Sequence, residues 1–160
     1  MTSEQRLPLI ESYGNAYTLL RTSLNEFPRE MWQFKPAPER WSIHEIIIHL
    51  VDAEANSFVR CRCFVAEPGK TIMAYDQDQW AARTGYHQQS TDDALELFRL
   101  LRKMSYDLIR RLPEEAWLSA ITHPEQGSMA FEKWLAIYEE HVRKHIGQIG
   151  RNYEAWKKTE

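Results

Sequence analysis

Apolar residues recur every three or four positions along most of this chain, and that spacing predicts helices over nearly all of it. Leu9, Ile10, Tyr13, Tyr17, Leu20 and Leu24 form the stripe of a first helix, with Pro8 in its first turn and its end near Phe27-Pro28. A proline-bearing connection, residues 29–40, leads to Ser42 and Glu45, which have the spacing of a capping box and mark the start of a second helix. Ile46, Ile47, Leu50 and Phe58 carry that helix toward Ala66, and Pro68-Gly69 stops it. Ser90 or Thr91 caps a third helix, whose stripe of Ala94, Leu97, Phe98, Leu101, Met104, Leu108 and Leu112 ends before Pro113. A fourth runs from about Met129 to Lys157, with Phe131, Trp134, Tyr138, His141, His145, Ile149 and Tyr153 along one side.

The longest irregular stretch, residues 70–90, lies between the second and third helices, with one short helical turn expected at residues 76–82. A connection of that length in a compact domain is commonly functional or a packed crossover. Near-absence of β-branched alternation leaves little room for a sheet. Four amphipathic helices with long connections predict an all-α four-helix bundle with crossover links in place of tight hairpins. The length of 160 residues suits a single domain, 1–160.

Composition narrows the class of partner. With 43% hydrophobic and 27% charged residues the chain has the balance of a soluble globular protein. A net charge of −3, with basic and acidic residues interleaved, counts against nucleic acid, whose phosphates demand a basic face. No segment reads as a membrane span or as a secretory signal. Cys61 and Cys63 point to nearly opposite sides of a helix and suit neither a disulfide nor a metal clamp; reduced thiols and a cytoplasmic location are expected.

The chemistry concentrates in histidines. His141 and His145 are one helical turn apart, so both rings leave the same face, and they continue the core-facing stripe of Trp134, Tyr138 and Ile149. Inward imidazoles need partners to offset desolvation, and a shared metal ion supplies them. His49, on the second helix, is the candidate third ligand across the bundle. Three neutral imidazoles leave the ionic charge uncompensated and positions open, which favours a catalytic over a structural site. Asp52 shares the face of His49 and is the candidate base or partner to the imidazole; Glu45 is already explained by capping, and Glu54 points off that face. Tyr75 and Trp80 are candidate walls of a substrate pocket. His44, His87 and His123 are expected at the surface.

Trp41-Ser42, Glu45-Ile46 and His49-Leu50, followed by Tyr138 with His141, His145 and Ile146, resemble the pattern of the DinB/YfiT-like family. Glu67-Pro68-Gly69, Ala74-Tyr75-Asp76, Trp80-Ala81, His123-Pro124-Glu125 and Gly127 are similar to its YfiT branch of metal-dependent hydrolases. The resemblance covers nearly the whole chain. It implies a four-helix bundle, commonly a homodimer, holding one divalent metal, usually zinc or nickel, on His49, His141 and His145. It also implies an enzyme acting on a small molecule, foremost a low-molecular-weight-thiol S-transferase that uses the thiol as cosubstrate. A metal-dependent hydrolase of small amides or esters and a non-catalytic metal- or ligand-binding bundle are the rival readings.

Overall fold

Thr2 starts the first helix earlier than Pro8 implies. Its hydroxyl accepts the N–H of Gln5 while the Gln5 side chain accepts the N–H of Thr2, a complete capping box ahead of α1, Ser3–Gly14. Pro8 therefore sits inside the helix, where it removes only the bond to the carbonyl of the exposed Glu4. The computed structural model describes residues 1–159. The single first helix expected from the apolar stripe is two: α1 ends at Gly14, and α2, Ala16–Leu24, resumes after Asn15. A Cβ on Gly14 would stand 2.6 Å from the ring of Tyr106, so only glycine lets the later helix approach this closely.

α3, Ile43–Ala66, begins as its capping box requires: the Ser42 hydroxyl accepts the N–H of Glu45 at 3.1 Å, and the Glu45 carboxylate accepts the N–H of Ser42 at 2.8 Å. A cap of this kind contributes about 1 kcal/mol. The crossover that follows contains α4, Gln77–Arg83, capped by Asp76. α5, Thr91–Ile109, is capped by Ser90, and α6, Phe131–Trp156, closes the fold. α3 packs against both α5 and α6, and α1 and α2 close the remaining side against the same pair, giving an all-α four-helix bundle. Ile46, Ile47, Leu20, Phe98 and Val142 fill one end of the core, and Phe64, Trp117, Phe131 and Trp134 the other. No helix among the described residues is long and apolar enough to cross a membrane.

Two expectations need correction. The inward face of α5 is Ala94, Leu95, Phe98, Arg102, Ser105 and Ile109, whereas Leu97 and Met104, read as core, are 48% and 53% exposed. The rotation has a cause: Arg102 is drawn into the bundle by a buried carboxylate, Glu54, at 2.5 Å. The chain also holds a small sheet. β1, Ala120–His123, pairs antiparallel with β2, Gly127–Ala130, through a turn in which Gly127 takes a positive φ of 72°. Strands of four residues are too short to display a period. A strap at residues 69–72 lies along β1: Gly69 N–H donates to the Ala120 carbonyl, Thr122 N–H to Lys70, and Ile72 N–H to Thr122.

Candidate metal centre

His49 lies in the second turn of α3 and is 2% exposed; His141 and His145 project from the middle of α6 toward it. The two helices are held in register by Arg102, whose guanidinium donates to Glu54 on α3 and to the backbone carbonyls of Tyr138 on α6 and Tyr13 on α1. One ring nitrogen from each histidine lies within 4.8 Å of the others. Nε2 of His141 is 3.3 Å from Nε2 of His49 and 3.1 Å from Nε2 of His145. Metal–nitrogen bonds of about 2.0–2.1 Å place neighbouring ligands of a tetrahedral set roughly 3.3 Å apart, so this spacing fits a divalent ion.

The protonation states agree. Nδ1 of His145 faces the side-chain amide oxygen of Gln148 at 3.0 Å, an acceptor that suits a protonated Nδ1 and leaves Nε2 with a lone pair for the centre. Burial, reinforced by the neighbouring His145, pushes His49 down to about 3. Burial followed by the charges of His145 and His49 pushes His141 down to about 2, and burial lowers His145 too. All three rings are thus neutral at pH 7, as ligands must be. Above the ordinary histidine value of 6.5 folded and unfolded rings are alike neutral, and protonation contributes nothing to stability. Below it the unfolded chain binds protons the folded chain refuses, so stability falls as pH drops from 6.5 toward 3. The urea midpoint of metal-free protein is expected to decline over that window, with a shallower slope in a His49→Gln variant; equal slopes would dissociate these rings from the acid sensitivity.

Around the centre, Trp41 covers His49 with ring centroids 4.6 Å apart and is fixed through its carbonyl by Asn152 Nδ2 at 2.8 Å. Beside His145 and Gln148 a polar hollow of about 230 Å³ opens, walled by Arg40, Trp41, Gln77 and Asp78. On the other flank Tyr138, 6.2 Å from His141 between ring centroids, accepts a hydrogen bond from Arg60 at 3.0 Å. Arg60 lines an apolar cleft of about 560 Å³ between α3, the strap and Trp80.

Asp52 does not bond to His49; its Oδ2 accepts the hydroxyl of the buried Tyr86 at 2.6 Å. Burial raises the proton affinity of Asp52, and the Tyr86 hydrogen bond opposes that rise only in part. Tyr75 and Trp80 pack together with ring centroids 4.7 Å apart, and Trp80 also walls the cleft. Burial raises the Tyr75 hydroxyl well above the ordinary tyrosine value, so it is a proton donor and not a phenolate. Of the remaining histidines, His44 is half-buried and its Nε2 meets the Tyr86 carbonyl at 2.9 Å, contrary to the exposed position expected. His87 is exposed and reaches Glu45, and His123 is buried in β1, where Nδ1 accepts the N–H of Glu125. Tyr86, Arg60 and Arg102 escape a reading of the sequence because each meets its partner only across the fold. The lone signal was an arginine inside the apolar stripe of α5.

Comparison with known proteins adds four findings. A model of the DinB superfamily matches residues 13–149. A protein of Oceanobacillus iheyensis named "Putative metal-dependent hydrolase" is 27% identical over 131 residues, 82% of this chain and 76% of that protein. A Bacillus cereus protein of the same name is 27% identical over 109 residues, 68% of this chain but only 62% of its own length, less than two thirds. Among solved structures, YfiT from Bacillus subtilis, described as "a probable metal-dependent hydrolase with an unusual four-helix bundle topology", aligns with a TM-score of 0.89. The alignment covers 98% of this chain and 90% of YfiT at 20% identity, a likeness of fold.

Proposed function

The chain belongs to the DinB superfamily, and from that premise we propose that it is a metal-dependent enzyme which transfers a low-molecular-weight thiol to a small electrophilic compound. His49, His141 and His145 hold one divalent ion, zinc or nickel in this reading. When bound, the ion would supply two uncompensated positive charges, which acidify a thiol or water approaching it.

The observation that carries thiol transfer is the pair of unlike recesses flanking the histidines: the polar hollow beside His145 and the apolar cleft reached past Tyr138 and Arg60. Transfer between a polar thiol and an apolar electrophile gives each recess its own occupant, whereas the water of hydrolysis needs no recess of its own. Asp52, with its raised proton affinity, takes the proton of the thiol; the sulfur forms a bond to carbon as the carbon–leaving-group bond breaks, and the leaving group departs with the electron pair. Trp41 shields His49 from bulk water, and Trp80, backed by Tyr75, walls the electrophile. The names of the relatives favour a second reading, hydrolysis of small amides or esters by activated water.

Zinc- or nickel-loaded protein given an aryl halide and a panel of small thiols decides between them. Saturable consumption of the halide that requires thiol supports transfer. Cleavage of a nitrophenyl ester at a rate indifferent to thiol supports hydrolysis, and inactivity of fully loaded protein toward both leaves a binding bundle.

A further inference from the structure

The cleft between α3 and the strap has a composition that selects its occupant. Ala55 and Cys63 form its floor, Val59 one lip, Ile72 and Met73 the other and Trp80 its end. Its volume of about 560 Å³ falls within the usual range for small-molecule sites. Val59 and Met73 are 59% and 63% exposed at the lips, so apolar surface is offered to whatever enters.

One charge is left over. Lys70, at the rim, is paired with Glu67. Arg60 has no carboxylate within ion-pair distance among the described residues: Nη1 donates to the Tyr138 hydroxyl, Nη2 to the Met73 carbonyl at 2.9 Å, and Nε is buried with no acceptor. A half-buried guanidinium whose two protein hydrogen bonds go to neutral oxygens, with the rest of its five donors unpaired by protein, is a standing attraction for an anion. Asn56, Arg60 and Cys63 lie 7, 11 and 14 residues beyond His49, so the cleft continues the helical face that carries the ligand and starts roughly 10 Å along it.

We propose that this cleft is the recognition site for the electrophilic substrate, and that the substrate is a free small molecule with an apolar body and a carboxylate that pairs with Arg60. This assignment rests on the transfer reading for the word substrate, but the binding it describes requires neither turnover nor metal. Arg60 acts in specificity, setting which compounds enter, and touches none of the metal ligands.

The test uses three probes with one apolar body, 4-phenylbutyrate, 4-phenylbutanol and 4-phenylbutylamine, titrated calorimetrically into the full chain and into its His145→Ala variant. The carboxylate is expected to bind roughly tenfold or more tightly than the alcohol, and the amine more weakly still. Affinity for the carboxylate should survive in H145A. Arg60→Met should bring the carboxylate down to the level of the alcohol, Arg60→Lys should keep most of the preference, and Ala55→Trp should exclude all three. Unchanged alcohol affinity in R60M shows an intact cleft. Equal affinity for carboxylate and alcohol in the unmodified protein overturns the assignment, and so does loss of carboxylate binding in H145A, which would place the anion on the metal. An inactive protein that keeps the carboxylate preference would instead refute the transfer reading and leave the cleft assignment standing.

Discussion

Replacing His141 with alanine is expected to release the bound divalent ion and to abolish every metal-dependent turnover with it. His141 is the middle member of the cluster, the one whose Nε2 stands next to both other rings. Its loss leaves two ligands, and affinity should fall by far more than the 10–100-fold typical of losing a partner outside the ligand set. Elemental analysis of protein purified without a metal-affinity tag reads this directly, and His49→Ala and His145→Ala should behave alike. Asp52→Asn is the informative contrast: near-stoichiometric metal, but turnover reduced by about 10²–10⁴, the usual worth of a positioned base. Metal content unchanged across the three alanine variants would sink the shared centre.

The largest effect on stability is expected from Arg102→Met. Arg102 and Glu54 are each 1% exposed, and the carboxylate would be left with the Tyr13 hydroxyl as its one remaining partner. Removing one member of such a pair costs about 3–5 kcal/mol. For a domain of this size that lowers the melting temperature by roughly 10 °C. The double variant Arg102→Met with Glu54→Leu should recover part of the loss, since no buried charge then remains, though the carbonyls of Tyr13 and Tyr138 still lose a donor. A melting temperature within a degree or two of the parent protein would show that the pair is not what holds the bundle. Metal affinity should weaken in parallel, because Tyr138 is one turn ahead of His141 and its carbonyl is tied to α3 only through Arg102.

What could be read from the sequence was local. The Ser42–Glu45 capping box, the Pro68-Gly69 stop, the turn at Asp76 and the one-turn spacing of His141 and His145 all depend on residues within a few positions of one another, and each is found as expected. His49 is legible as a third ligand because the core-facing pair on the last helix needs a partner across the bundle. Failures came where a distant partner overrode the local pattern. Arg102 entered the core because Glu54, 48 residues earlier, was waiting there, and that rotated Leu97 and Met104 outward. Sequence proximity pairs Asp52 with His49, but its partner in the fold is Tyr86, across the crossover. The strands were invisible because a four-residue hairpin is specified by its turn and by the strap it pairs with, not by alternation.

That strap bears on how such a protein diverges. Residues 69–72 are tied to β1 by main-chain hydrogen bonds, so the wall of the cleft takes its position from the backbone and not from the identity of the side chains it displays. Residues such as Met73, which follows the strap, or Thr71 within it can be exchanged for larger, smaller or charged ones while the wall stays in place. The three clustered histidines, fixed on α3 and α6, are insulated from those exchanges. A lineage built on this plan can change what it accepts one surface residue at a time, without passing through an unfolded or metal-free ancestor.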